Sequence, residues 1–221
     1  MDSVTFTDPM VATISKSMVF TKVNADSNKS LQEKYGVAGF PTIVVTRPNG
    51  REIDRMVGYY PPENFIPALV DLLTNRNTLD HLLKKSAENP DSLELLNQIA
   101  ENYTYRSDFK QANYYYSMVL ENDKDNSLGL ADDAWMSLAG IKRREDKTKE
   151  AVEMYAQLEK KFPESDLVET SKLMIPYTYY RADDLKNAEK HFKKFKKEFP
   201  DSEQIEWVDK QLEKIKEEKK K

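Results

Sequence analysis

The feature that most constrains this chain is an alanine with an aromatic residue four positions on, met three times at nearly even intervals. Ala112-x-x-x-Tyr116, Ala151-x-x-x-Tyr155 and Ala188-x-x-x-Phe192 stand 39 and 37 residues apart. Each follows an amphipathic stretch: Leu96-x-x-Ile99-Ala100-x-x-Tyr103, Trp135-x-x-Leu138-Ala139 and Ile175-x-x-x-Tyr179. The small residue lets two helices approach, the aromatic fills the groove beside it, and a following proline stops the second helix. The echo Lys161-Phe162-Pro163-Glu164-Ser165 and Glu198-Phe199-Pro200-Asp201-Ser202 marks two such stops. One helix pair cannot bury its own apolar face, so such units must stack. Departures occur: Lys124 stands where proline is expected, and the third unit has Lys172 and Pro176 at its first large and small positions. Residues 201–221 read as a closing helix with Ile205, Val208, Leu212 and Ile215 as its stripe and a Lys/Glu tail that frays in solvent.

This pattern resembles the tetratricopeptide repeat, whose unit is about 34 residues. The resemblance implies an α-solenoid that binds a protein or peptide on an inner surface lined by the first helix of each pair. By the repeat alignment that surface carries Asn97, Glu101, Tyr105, Met136, Arg143, Arg144, Tyr177, Tyr180 and Arg181. Aromatic and arginine side chains on a concave wall suit an extended peptide bearing carboxylates. The competing reading is inter-repeat packing of the tyrosines with solvated arginines. Glu101 stands where chaperone-binding members place an asparagine, which disfavours that ligand.

Ahead of the repeats the elements are expected in the order α–β–α–β–β–α. A helix starts at Thr7-Asp8-Pro9 in a segment reaching Ser17, and Met18–Asn24 alternates like a strand. Ser27–Tyr35 is a short helix, and Thr42–Thr46 and Glu52–Tyr59 are strands around an Arg47-Pro48-Asn49-Gly50 turn. Pro61-Pro62 opens a helix to about Leu73, and Thr78–Asn89 is another. Within this region stands Tyr35-Gly36-Val37-Ala38-Gly39-Phe40-Pro41-Thr42. That stretch resembles the thioredoxin family, where such an element carries a cis-proline loop. The resemblance implies a peptide-binding role for Phe40 and Pro41. The alternative is a turn that only shapes the fold.

The chain has no cysteine, so it cannot supply the family's CxxC dithiol or any thiolate. The family's first strand, central in its sheet, is also missing. Two explanations stand: a redox-dead, truncated descendant, or the larger part of a thiol-disulfide oxidoreductase whose CxxC lies just upstream of Met1. Strand donation within a homodimer would be a third way to fill the gap. The fold class expected is therefore a truncated α/β thioredoxin-like unit, residues 1–77, followed by an all-α solenoid with a capping helix, residues 78–221.

A net charge of −4 argues against nucleic-acid binding, and no apolar run reaches the ~20 residues of a membrane span. No signal peptide is visible, so the chain as it stands reads as cytoplasmic, whereas an oxidoreductase parent would be extracytoplasmic. His81 and His191 lack partners at metal spacing, and no catalytic residue, metal site or cofactor is expected.

Overall fold

The computed structural model describes every residue except Ser15, Ser17, Ala38, Asn75 and Lys221. Its contacts divide into two compact units, Met1–Ala112 and Asn113–Lys221.

In the first unit the opening residues turn until the Asp8 carboxylate accepts the Met10 and Val11 N–H groups at 2.8 and 3.4 Å. That caps α1 (Pro9–Ile14). Helix α2 (Lys29–Lys34) is followed by Gly36 at φ +55°, and the Val37 N–H returns to the Gln32 carbonyl. This is the left-handed closure that a glycine permits. Strands β1 (Thr42–Thr46) and β2 (Glu52–Val57) pair antiparallel with Val44 opposite Arg55 and an irregularity between Val45 and Thr46. Their turn closes through the Gly50 N–H on the Arg47 carbonyl, with Gly50 at φ +77°. Helix α3 (Pro62–Leu73) packs Phe65, Leu69 and Leu72 against Val11, Val45 and Met56. Phe6 meets Phe65 edge-on at 5.7 Å. Helix α4 (Leu79–Glu88), capped by Thr78, packs on α5 (Leu93–Tyr105), capped by Ser92.

The expected strand over Met18–Asn24 does not form. Among the described residues the sheet has two strands, and Val19 is 94% exposed. Alternation alone does not make a strand, because its N–H and C=O groups need a neighbour, and among the described residues no strand pairs with this segment. The end of the expected opening helix segment, Ser17, and Ala38 of the loop motif lie outside the described residues.

Helix α6 (Phe109–Asn122) runs across the division between the units. Beyond it come α7 (Ala131–Arg144), α8 (Thr148–Lys161), α9 (Val168–Arg181), α10 (Leu185–Glu198) and α11 (Ile205–Glu218). In the second unit each of α7 to α11 packs on the next. Ala151 and Ala188 are fully buried, as are the Leu158 and Phe192 side chains beside them. Leu173, Phe195, Val208, Leu212 and Ile215 complete the core at the closing end. Where the first repeat lacks proline, Asp123 does its work. Its buried carboxylate accepts from the Leu128, Leu130 and Ala131 N–H groups at 3.1 Å each, ending α6 and opening α7.

The turn inside each helix pair repeats as closely as the anchors do. Ser107, Asp146 and Asp183 all adopt φ near +60°. The next residue's N–H returns to the carbonyl of Tyr103, Lys142 or Tyr179, at 3.0, 2.9 and 2.9 Å. This six-to-one closure ends the first helix of the pair and releases the chain for the second.

Candidate functional site

The resemblance-derived residues fall at three places. In the first unit the Phe40–Pro41 peptide bond is cis. The Pro41 carbonyl accepts from Gly58 at 2.8 Å and the Thr42 hydroxyl donates to the Gly39 carbonyl at 2.7 Å, fixing both sides of the loop. Phe40 itself is 65% exposed.

The same unit holds a charge cluster that sequence reasoning missed. Asp54, on the inward face of β2 beside Met56, is buried and accepts from the Leu79 N–H at 2.9 Å. Arg106, at the end of α5, donates to Asp54 and, at 2.5 Å, to Glu52. Arg55 grips Glu52 through two donors at 2.8 and 2.7 Å and reaches the Tyr35 carbonyl at 2.6 Å. Burial pushes the Glu52 carboxyl up, but the Arg55 and Arg106 guanidiniums outweigh it and hold the group below its ordinary value. One cluster thus ties α2, β2, α4 and α5. The available signal was a carboxylate at an inward strand position, which requires a buried cation.

On α5, Asn97, Glu101 and Tyr105 share one face at i, i+4 and i+8. The Asn97 amide donates to Glu101 at 3.2 Å and its carbonyl oxygen is buried without a partner. Tyr105 is exposed and lines a cleft with Asp54, Tyr60, Leu72, Asn77 and Asn102. Desolvation there, with Glu101 and Tyr60 close by, raises the Tyr105 hydroxyl pKa.

In the second unit the fold joins α7, α9 and α11 through three side chains. The Arg143 guanidinium lies over the Tyr177 ring, 5.3 Å from its centroid. Tyr177 in turn meets Trp207 at 6.1 Å, and Trp207 stands edge-on to Phe192 at 5.8 Å. Below them Tyr155 is buried, its pKa raised by desolvation against the opposing pull of Arg143. No carboxylate of the described residues forms an ion pair with Arg143, whereas Arg55 and Arg106 are both paired. Met136, two turns before Arg143 on α7, packs against the Tyr155 and Leu158 clusters. Arg144 has its pKa lowered by burial and by Arg143. The Tyr180 hydroxyl donates to Glu218 at 3.0 Å, engaging α11, and Arg181 is exposed at the end of α9. Arg143 and Tyr177 are therefore in contact. Trp207 joins them from outside the alignment, and nothing but its place one step off the α11 stripe announced it.

The architecture so defined is a short α/β unit with a two-stranded sheet followed by stacked helix pairs, and no cysteine is present. Residues 3–73 match the family described as a thioredoxin-like domain, and residues 137–209 match YfiO, described as an outer membrane lipoprotein. The second match runs from within α7 into α11 and so covers the later tetratricopeptide-like pairs, an architecture that implies protein binding. No curated protein matches the chain significantly. Among the described residues no helix is long and apolar enough to cross a membrane.

Proposed function

We propose that this chain is a non-catalytic protein-interaction module, in which α7 and α9 present an extended-peptide site and the thioredoxin-like part is redox-dead. One observation carries this: Arg143 is laid on an aromatic ring, packed in place, and left without a carboxylate partner. A folded protein normally pairs a half-buried guanidinium, and the planar fork suits a carboxylate brought by a ligand. Met136, Tyr177 and Tyr180 supply apolar and aromatic surface along the same face, with Arg144 and Arg181 at its basic end. Asn97, Glu101 and Tyr105 occupy the equivalent positions of the first repeat, and the exposed Phe40 beside Pro41 is a further peptide contact. By ancestry we divide the chain at 77/78, between the last thioredoxin-like helix and α4. The Arg106 cluster explains why α4 and α5 nevertheless pack with the first unit.

The test is selection of peptides from a random display library on the whole chain, followed by titration of the binders against variants. Arg143→Gln and Tyr177→Ala are each expected to weaken binding about tenfold or more, a loss typical of a central aromatic or arginine anchor. Arg143→Lys is expected not to rescue it, since a lysine cannot stack or fork. Binding that all three variants retain would overturn the reading.

A second reading is favoured by the match of residues 3–73 to the thioredoxin-like family. In it, these residues belong to a longer thiol-disulfide oxidoreductase whose cysteines lie upstream, and the repeats recruit its substrates. Intact mass of the native protein before and after thiol alkylation separates the two. Alkylation at two sites supports the oxidoreductase, and none supports the module.

A further inference from the structure

Helix α10 buries Ala188, Phe192 and Phe195. On the opposite side Lys186, Lys190, Lys193, Lys194 and Lys197 fall within about 100° of arc and span about 16 Å of helix. All five are exposed. Lys193 pairs with Glu189 at the flank at 2.5 Å, and Lys186 lies near Asp184. Lys190, Lys194 and Lys197 form no ion pair with a described residue. Their field is felt inside the repeat, where burial first, and then Lys190 and Lys194, lower the pKa of His191.

The repeat does not require this face. Counted from the anchor alanines, the same five positions hold Lys110, Tyr114, Ser117, Met118 and Glu121 on α6, and Lys149, Glu153, Ala156, Gln157 and Lys160 on α8. Lysines at i and i+4 repel one another, and Lys190, Lys194 and Lys197 have no ion pair with a described residue to offset that repulsion.

The geometry points to this face as a docking surface for a short acidic segment of a partner protein, about five residues long if extended. Three features select that occupant. No aromatic side chain interleaves the lysines, as stacking of nucleobases would require. No apolar side chain stands among them to enter a bilayer. Acidic residues follow the stripe in the chain, with Glu198 closing α10 and Asp201 and Glu203 just beyond it, and Glu169 and Glu206 stand in the first turns of α9 and α11. A long polyanion or a charged plane would meet them, and a segment no longer than the stripe would not.

The experiment is fluorescence anisotropy of a labelled ten-residue Asp/Glu peptide with the whole chain. It is run at about 0.01 M ionic strength, where screening is weak. Saturable binding is expected, lost about tenfold or more in Lys190→Glu/Lys194→Glu and more weakly in Lys190→Gln/Lys194→Gln. Lys149→Glu/Lys160→Glu on α8 is expected to change it less than about twofold. If the charge-reversed pair does not fold, as read by circular dichroism, the glutamine pair decides. All titrations are made in an Arg143→Gln background, which removes the carboxylate anchor of the peptide site above, so that binding is read from this surface alone. Absence of binding, equal loss in the α8 pair, or tighter binding to duplex DNA or to anionic vesicles would each overturn the proposal.

Discussion

Arg106 decides how the first unit holds together, because it faces two carboxylates of β2 from the end of α5. Arg106→Met removes the charge while keeping an apolar stem, and leaves Asp54 buried with one guanidinium fewer. A loss of about 3 kcal/mol is expected, as for other broken buried pairs, read as faster amide exchange in β2, α4 and α5. Unchanged exchange would contradict it. Glu52 sets the pH dependence of the same cluster. Its folded carboxyl sits below the unfolded value of about 4.3. The stabilisation is therefore complete above that value and fades as pH falls through the folded one. In Arg106→Met the Glu52 pKa is expected to rise, measured by carboxyl chemical shifts. His191 has the opposite charge type and is also lowered. The unfolded chain takes up its proton first, so the second unit loses stability as pH falls through about 6.5. Lys190→Gln/Lys194→Gln is expected to raise the His191 pKa, measured by imidazole proton shifts.

Among the elements, the turn within each helix pair stores a removable cost. Asp183 sits at φ +60°, where a side chain is strained and glycine is not. Asp183→Gly is expected to raise the stability of the second unit by about 0.5–1 kcal/mol in urea unfolding, and a decrease would contradict the account. Phe192 anchors α10 to α11 through Trp207. Phe192→Ala is expected to cost about 3–5 kcal/mol and to shift the emission of Trp207. The repeats were legible because their signals are local. Ala151 with Tyr155 and Ala188 with Phe192 state spacing, small size and bulk within one helical turn. Thr78 and Ser92 likewise announce their helices as caps. The segment Met18–Asn24 was misread because a strand is a property of two paired segments, and its alternation says nothing about the neighbour. The inward carboxylate of β2 signalled a buried cation, but not which one: Glu52 and Arg106 are 54 residues apart, and no periodicity links them.

Across the whole molecule the two units differ in how much holds them. The first rests on a two-stranded sheet, with Val19, Phe20, Val23 and Phe40 all exposed. The second buries an apolar face of every helix from α7 to α11. Residues 1–77 are therefore expected to exchange their amide hydrogens faster than residues 131–218, and equal protection would contradict that. The central claim is that the face carrying Arg143 and Tyr177 binds a peptide. Its most direct test is hydrogen exchange of the whole chain with and without a display-selected peptide. Added protection in residues 136–144 and 173–181 is the expected result. Protection elsewhere, with those two stretches unchanged, would contradict it.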